Sequence, residues 1–398
     1  MWQGRRVVLG VSGGIACYKS CIIARRLAEA GARVDVVLTQ AAAEFVRPVT
    51  FEALTGRPVT SSLWSRDGAL GHIRLGQEAD LVIVAPATAN VIARAAQGLA
   101  DDFLTTMLLA STAPVLLAPA MNDEMFAAEP TVANLAALTA RGFHVVGPET
   151  GPLAEGPSER PGRMSEPETI LAHAARLLRH DSPLAGRSVV VTAGPTRESL
   201  DPVRVITNRS SGRMGFAIAE AAWARGADVL LISGPTALAA PAGIEVRRVE
   251  TTADLEHAVR AALPTADVLI MAAAPADYRP RASAEQKVER DAGGATLALE
   301  PTADILAGTI DARKRGSVIV GFALETGDAE RKALAKLDRK ALDLIVVNDA
   351  LEAGAGFEVE TNRVTILARG GGRTEVPLQA KRDVAEAVLD AVERRLGG

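Results

Sequence analysis

Two distant stretches of the chain carry the same succession of apolar runs, and that echo limits the folds open to it. "GRRVVLGVSG" (4–13) is matched by "GRSVVVTAG" (186–194), "EAGARVDVVLT" by "ARGADVLLIS", and "ADLVIVAPA" by "ADVLIMAAA". Each run is of strand length and apolar almost throughout rather than alternating. A strand of that kind is buried on both faces, which a parallel sheet covered by helices provides. The first half holds five such runs: "RRVVLGV", "RVDVVLT", "ADLVIVAPA", "APVLLAPA" and "FHVVGP". Helical patterns lie between them, among them 15–30 and 90–98. The second half adds "GSVIVGFAL" and "LDLIVVND". Its tail, "GFEVETNRVTILARGGGRTEVPLQ", reads as antiparallel strands with turns, followed by a closing helix. The expected fold class is α/β, with two tandem doubly wound, mainly parallel-sheet domains of the Rossmann or flavodoxin-like kind.

A length of 398 residues also favours two domains. "EPETILAHAARLLRH" (166–180) reads as an amphipathic helix and "DSPLAG" as a linker. The boundary is therefore expected near residue 182, giving domains 1–182 and 183–398. With 48% hydrophobic but only 3% aromatic residues, the cores must be built mostly of Ala, Val, Leu and Ile. The net charge of −4 offers no global field for nucleic acid. There is no signal-peptide pattern and no apolar run of about 18 residues, so neither export nor a membrane span is expected. A cytoplasmic location is the default. Cys17 and Cys21 are the only cysteines, four apart on one predicted helix face. That geometry suits neither a disulfide nor a zinc site and reads as two small apolar residues in a reducing compartment.

Several loops at strand ends carry residues suited to ligands. "GVSGGIA" joins a strand to a helix, and its backbone N–H groups at Ser12, Gly13 and Gly14 can hold a phosphate; a plain tight turn is the alternative. The third glycine of a dinucleotide fingerprint is missing, and the second strand ends at Thr39-Gln40 without a ribose-binding acid. That favours a mononucleotide over NAD. "APATANVIA" places Pro86, Thr88 and Asn90 at a crevice, or caps a helix. "GHIRLG" places His72 in a loop, as a base or a surface residue. In "APAMNDEM", Asn122 can bind a carboxylate or serve as an N-cap.

In the second half, "TAGPTRESLDPVRVITNRSSGRMG" is a long loop whose Arg, Asn, Ser and Gly content suits phosphates and an acyl group. "MAAAPADYRP" offers small residues for a flat base and Asp277 for its edge or a ribose. "QKVER" sets Lys287 in a loop. Lys336 and Lys340 share one helix face, as solvated charges or as phosphate ligands.

Together, "GVSGGIACYKS", "GHIRLG", "APATANVIA" and "PAMNDEM" resemble the flavin-dependent cysteine decarboxylases, in particular the phosphopantothenoylcysteine decarboxylases, over about residues 5–165. The resemblance implies FMN, with its phosphate at Ser12, Gly13 and Gly14 and further contacts at Thr39, Pro86, Thr88 and Asn90. It implies that His72 is a base or positions a carboxylate, and that Asn122 grips the substrate carboxylate. Phe126 departs from the usual Trp. From 186 to 395, "GPTRE", "DPVR", "SSG", "AAAPADYRP", "KVER", "GFALET" and "KALDLIVVND" resemble the phosphopantothenate–cysteine ligases. The domain order matches the bacterial bifunctional enzymes of coenzyme A biosynthesis. This implies 4′-phosphopantothenate, cysteine and CTP as substrates, with an acyl-cytidylate intermediate held by Asn208. It implies Lys287 on CTP and in the second step, with Met271, Ala272, Ala273, Asp277, Ala303, Asp304, Ile305, Leu306 and Phe322 around the nucleotide. Lys336 and Lys340 fall to the phosphates, with Mg²⁺ expected and Asp277 its possible ligand. Pro275 and Arg290 stand where the family often has Val and Lys. The family further implies homo-oligomers: trimers of flavin domains, dimers of ligase domains, together a dodecamer.

Two other readings stand beside this one. One is a ligase fused to a flavin domain with lost or altered decarboxylation; the other is a regulatory flavin-domain binding protein. The latter type usually has a long acidic tail, whereas this chain ends in "AVERRLGG". The stretch 149–168, dense in Gly and Pro, is either a linker or a lid. The family places a lid there, reading G-x-x-A-C-G, and Glu155 stands in place of its proton-donating cysteine. Glu155 becomes a candidate donor if lid closure buries it and raises its pKa.

Overall fold

The apolar run at 6–11 forms β1 (Arg6–Val11), and its alternation assigns it to two cores at once. Val7, Leu9 and Val11 join one core with Val34, Val36, Leu81 and Ile83, while Val8 joins another with Val37, Val82 and Val84. Each such side chain taken out of water stabilises by about 1.5–3 kcal/mol, so both faces need a helical cover. In this computed structural model, residues 2–64, 70–179, 181–289, 296–325, 327–349 and 359–397 are described. The chain divides into two units, Met1–Leu178 and Arg179–Gly398.

The first unit runs β1, α1 (Cys17–Glu29), β2 (Arg33–Leu38), α2 (Pro48–Thr55), α3 (Gly71–Glu78), β3 (Leu81–Ala87), α4 (Ala89–Gln97), α5 (Phe103–Ala110), β4 (Val115–Pro119), α6 (Asp123–Ala127), α7 (Glu129–Ala140), β5 (His144–Val145) and α8 (Pro167–Leu177). The sheet order is β2-β1-β3-β4-β5, all parallel. Ile23 and Leu27 of α1 and Ile170 and Ala174 of α8 cover one face. Leu75 of α3, Ile92 of α4, Leu104 and Met107 of α5 and Leu138 of α7 cover the other. The chain reverses direction across the sheet between β1 and β3, and that switch point opens a crevice at their carboxyl ends.

The "GHIRLG" stretch, expected as a loop, is the helix α3. Its glycines serve packing instead of a turn. A Cβ on Gly76 would sit 3.0 Å from the Met107 carbonyl oxygen and the Ala110 carbonyl carbon, so glycine lets α3 lie close on α5.

The second unit runs β6 (Ser188–Ala193), β7 (Arg197–Ser199), β8 (Val205–Thr207), α9 (Arg213–Ala224), β9 (Asp228–Ser233), β10 (Glu245–Arg248), α10 (Thr252–Ala262), β11 (Val268–Met271), β12 (Tyr278–Pro280), β13 (Leu299–Pro301), α11 (Ile305–Gly308), β14 (Val318–Glu325), α12 (Ala329–Arg339), β15 (Leu344–Asp349), β16 (Thr361–Ala368), β17 (Arg373–Ala380) and α13 (Lys381–Leu396). Eight strands order as β10-β9-β6-β11-β14-β15-β16-β17, parallel up to β15, with β16 antiparallel to both β15 and β17. Helices α10, α11 and α12 feed one core through Leu255, Val259, Ile305, Ala333 and Leu337. Helices α9 and α13 pack together on the other face. The switch point lies between β6 and β11. The long loop expected after β6 is itself folded, with β7 and β8 forming an antiparallel hairpin inside it.

One buried cation joins the two helices on that second face. Arg225, its side chain 6% exposed, reaches Glu386 at 2.5 Å, Asp390 at 2.7 Å and Glu393 at 2.9 Å on α13. Removing it leaves Glu386 with Arg179 alone, at 2.9 Å, and takes the cation from Asp390 and Glu393. Arg225→Ala is expected to destabilise the second unit by about 3 kcal/mol, read as a lowered midpoint in urea unfolding. A midpoint within the range of exposed-arginine substitutions would refute this clamp.

Candidate active sites

In the first unit, a cavity of about 880 Å³ opens at the switch point. Its floor is the loop after β1. The Ser12 hydroxyl donates to the Pro86 carbonyl at 2.7 Å and accepts from the Thr88 N–H at 3.0 Å, bracing the ends of β1 and β3 against each other. Gly13 lies so close to the next loop that a Cβ would meet the Ala41 carbonyl carbon at 2.6 Å. Gly14 has only Thr88 Cγ2 at 3.8 Å, so its open side belongs to the cavity. Thr39 is nearly buried and accepts from the Ala42 N–H at 3.2 Å. Thr39, Thr88 and Asn90 all line the cavity with Ser12, Gly13 and Gly14; Pro86 contributes its carbonyl to the brace behind them. Cys17 is fully buried, donates to the Ser12 carbonyl at 3.2 Å, and burial pushes its thiol up, so it is structural.

Asn122 is the N-cap of α6. Its Oδ1 accepts from the N–H groups of Glu124 at 2.9 Å and Met125 at 3.3 Å, which turns its Nδ2 outward to donate to the Glu155 carboxylate. The N-cap reading of this asparagine is thus seen: the cap fixes the amide, and its free end meets the protein's own Glu155.

The stretch 149–164 folds over this end of the cavity, where Pro152, Leu153, Ala154 and Glu155 line it. Its base is closed by Glu149 N–H to Arg163 O at 2.7 Å and Arg163 N–H to Glu149 O at 3.1 Å. Its returning arm lies on 121–123, where a Cβ on Gly162 would meet the Met121 carbonyl oxygen at 2.6 Å. Ser158 donates to Asp123 at 2.5 Å, and that bond holds the Asp123 carboxyl below its ordinary range. Arg160 pairs with Glu124, and with Asp123 at 3.6 Å. Lys19, 4% exposed, donates to the Met164 carbonyl at 2.7 Å and lies 3.2 Å from Glu166. Lys19 lines the cavity yet was not singled out in the sequence, because a lysine inside "CYKSC" has no pattern to mark it as buried.

Two expectations find a different setting. Glu155 is exposed and bound to Asn122 instead of buried. His72 stands in the first turn of α3, edge-on to Phe103 at 6.3 Å between ring centres, and does not line the cavity of its own unit. Its Nδ1 is buried and has no hydrogen-bond partner among the described residues.

The residues present fit the mononucleotide that the resemblance implies. The cradle at 12–14 has no room for side chains on Gly13 and offers backbone to a phosphate, and Ile15, Tyr18, Val91 and Met121 give apolar walls for a ring.

In the second unit, a cavity of about 280 Å³ lies at the carboxyl edge of the sheet. Asn208 lines it and donates through Nδ2 to the carbonyls of Ala274 at 2.9 Å and Pro275 at 3.0 Å. Ala272, Ala273, Asp277, Phe322, Lys336 and Lys340 line it too. The Ala273 N–H is tied to Thr192 Oγ1 at 3.0 Å and the Ala276 N–H to Thr196 Oγ1 at 2.8 Å, so the small-residue loop is fixed to β6. Lys340 pairs with Asp304 at 2.8 Å; partial burial works against that carboxylate, but the ammonium outweighs it and holds the carboxyl below its ordinary range. Met271, Ile305 and Leu306 are buried in the core behind the cavity, and Ala303 precedes α11.

Lys287 is exposed and lies outside the cavity lining, but its neighbour is anchored. Buried Asp201 accepts from the Val203 and Arg204 N–H groups at 2.8 Å, from Arg204 Nη2 at 2.5 Å and from the Val288 N–H at 3.2 Å. The Arg204 bond foremost holds that carboxyl well below the usual range. "DPVR" is thus a folded turn that pins the segment carrying Lys287. Three further side chains, Asn348, Asn362 and Lys381, line the same cavity and were missed by the sequence reading, since they come from three separate elements. Arg290, Thr326 and 356–358, which the sequence reading used, lie outside the described residues.

Among the described residues no group of three or more His, Cys, Asp or Glu side chains is placed to hold a metal, and no helix is long and apolar enough to cross a membrane.

The comparisons agree with this two-part layout. Residues 1–179 match the family model described as Flavoprotein, and residues 184–396 match the DNA/pantothenate metabolism flavoprotein C-terminal domain. The coenzyme A biosynthesis bifunctional protein CoaBC of Mycobacterium tuberculosis (strain ATCC 25618 / H37Rv) is 48% identical over 409 residues, covering 99% of this chain and 97% of its own. That of Bacillus subtilis (strain 168) is 45% identical over 397 residues, covering 98% and 97%. A crystal structure of the C-terminal domain of a CoaBC protein is 39% identical, with a TM-score of 0.47, covering 54% of this chain and 98% of that one. With identity of this order over nearly its full length, the chain belongs to the family of coenzyme A biosynthesis bifunctional proteins, CoaBC.

Proposed function

We propose that the chain makes 4′-phosphopantetheine from 4′-phosphopantothenate, cysteine and CTP, the second unit ligating and the first decarboxylating. It is a bifunctional enzyme of coenzyme A biosynthesis, a ligase joined to an FMN-dependent decarboxylase. The observation that carries the reading is the pairing, in one chain, of the Gly13 cradle with the Asn122 amide in one cavity and of Asn208 with Lys336 and Lys340 in another.

A carboxylate does not acylate an amine at neutral pH until a leaving group is installed. The 4′-phosphopantothenate carboxylate attacks the α-phosphate of CTP and expels pyrophosphate, and the cysteine amine then displaces CMP. Asn208, fixed by two carbonyls, holds the acyl-cytidylate; Lys336 and Lys340 take the phosphate charge. Lys287, on its anchored segment, closes on the nucleotide and assists the second step. Mg²⁺ comes with the triphosphate and takes Asp277 at most from the protein, the usual mode for this ion.

In the first unit, FMN when bound supplies the two-electron redox chemistry that makes a cysteinyl carboxylate able to leave as CO₂. Asn122 holds that carboxylate through Nδ2. The 149–164 segment is the lid that keeps water from the reacting end. Glu155, at its tip, returns the last proton once substrate displaces it from Asn122 and the closed lid buries it. His72 does not line the cavity of its own unit, and Ile15 and Tyr18 are exposed at its rim, which supports a homo-oligomer in which a neighbouring copy completes the site.

The protein supplied with all three substrates and Mg²⁺ is expected to release pyrophosphate and CO₂ in equal amounts. Pyrophosphate without CO₂ identifies a ligase with a silent flavin domain; neither product refutes the whole assignment. Asn208→Asp should stop turnover after pyrophosphate release, with the cytidylate accumulating, as followed by mass spectrometry.

Glu155→Gln should slow formation of the saturated thiol product by about 100-fold, with the unsaturated enethiol accumulating. Unchanged product formation rules Glu155 out as the donor. Gly13→Ala forces a Cβ into the Ala41 backbone. It should weaken flavin binding about tenfold or more, read from flavin absorbance of the purified protein; full occupancy would show that the cradle lies elsewhere.

A further inference from the structure

The ligase cavity is lined from both faces of its sheet. Lys336 and Lys340 come from α12 and its C-terminal end, on the face shared with α10 and α11. From the other face come the first residues of α9 and α13. There Lys381, the first residue of α13, lines the cavity while only 6% exposed. Arg213, the first residue of α9, stands at the rim and pairs with Glu360, whose side chain is 79% exposed. Asn348 from the end of β15 and Asn362 from the start of β16 complete this side.

The hydrogen bonding of this corner is incomplete among the described residues. Asn362 is 2% exposed. Its Oδ1 is saturated, accepting from Asn348 Nδ2 at 2.8 Å and from the Arg363 N–H at 3.1 Å. Its Nδ2 meets only the Met214 sulfur at 3.9 Å, a weak acceptor. Asn348 Oδ1 is buried and has no partner among the described residues. Buried polar groups are almost always satisfied, so in a cavity wall the weakly used Asn362 Nδ2 suits a ligand oxygen and the orphan Asn348 Oδ1 a ligand O–H. The lysine adds a charge. Burial, and next the charge of Arg213, pushes its pKa down, against Glu360.

We propose that Lys381, Arg213 and Asn362 form a second phosphoryl subsite in the ligase crevice, across the sheet from Lys336 and Lys340. The proposal rests on the ligase reading of this unit. Both acidic substrates carry phosphoryl groups: the 4′-phosphate of the acyl substrate and the triphosphate of CTP. Asn348 Oδ1 accepts from a hydroxyl or a protonated phosphoryl oxygen of whichever group enters. The pair of lysines on α12 and the Lys381 corner thus give the crevice two separate anion handles, as a reaction joining two phosphorylated molecules requires.

The test uses the full-length protein and initial rates of pyrophosphate release, with 4′-phosphopantothenate and CTP varied in turn. Lys381→Met keeps the buried stem and removes the charge. It should raise KM for one of the two substrates about tenfold or more, with kcat changed less than about threefold. Arg213→Met, at the exposed rim, should raise the same KM, which guards against a folding defect specific to Lys381. A rise confined to 4′-phosphopantothenate, with lost preference for it over pantothenate, assigns the subsite to the acyl substrate. A rise confined to CTP assigns it to the triphosphate. Both KM values within about twofold of the parent in folded Lys381→Met protein would overturn the subsite. If the parent protein releases no pyrophosphate, the ligase reading fails by itself. Calorimetric titration of each substrate onto parent and variant then decides the subsite: equal affinities overturn it, and weaker binding to the variant supports it.

Discussion

Strands apolar on both faces force everything else in this molecule. β1, β3, β6 and β11 have no polar side to show to water, so helices must lie on both faces and every parallel connection must cross over. Where the crossovers change direction, the loops after adjacent strands part and leave backbone N–H and C=O groups without strand partners. In the first unit Ser12 uses its hydroxyl to span that gap, bonding the end of β3 from the end of β1. In the second unit Thr192 and Thr196 do the same work, bonding the N–H groups of Ala273 and Ala276 from β6 and its loop. A buried hydroxyl at the switch point thus closes the fold and sets the floor of each crevice.

The 149–164 segment shows how a charged stretch can be held over an apolar cavity without a core of its own. Its tie points are polar and mostly exposed: Arg160 to Glu124 and Asp123, Ser158 to Asp123, Glu155 to Asn122. Each exposed pair contributes at most about 1 kcal/mol, so any one is readily broken. The base differs, being held by backbone bonds between Glu149 and Arg163 and by the buried Lys19 ammonium. A firm base with a weakly tied tip is what a cover needs if substrate must pass beneath it. The Glu155 contact has a further consequence. A carboxylate already occupies the amide that the proposed reading assigns to the substrate carboxylate, so under that reading substrate entry and Glu155 displacement are one event.

The fold could be read from the chain because its signal is local: strands such as "RVVLGV" and "SVVVTA" are apolar almost throughout, and the helices between them keep a regular period. "GHIRLG" failed because glycine carries two meanings, a turn or a close approach, and only the partner helix decides which. The cavity residues divide the same way. Ser12, Gly13, Asn122 and Asn208 were visible because each sits at a strand or loop end beside a glycine or another marked residue. Lys19, Asn348, Asn362 and Lys381 were not, since burial of an isolated polar residue depends on contacts distant in sequence. Asp201 stood inside a quoted motif, but that it anchors Val288 follows only from a contact across 87 positions.

The two crevices share a topology and differ in chemistry because their proposed contents differ in charge. The first is wide, about 880 Å³, with Ile15, Tyr18, Val91, Met121 and Leu153 among its walls. Burying a flat ring there gains from area, at about 25 cal/mol per Å². The second is narrow, about 280 Å³, with Lys336, Lys340, Arg213 and Lys381 around it. Among these, Lys340 pairs with Asp304 and Arg213 with Glu360. The cores of α9, α12 and α13 fix the helix ends that carry the cations. Under the proposed reading the charges are set before the polyanions bind and need not reorganise when pyrophosphate departs. The crevice is therefore arranged around the charge of the reaction rather than around the shape of either substrate.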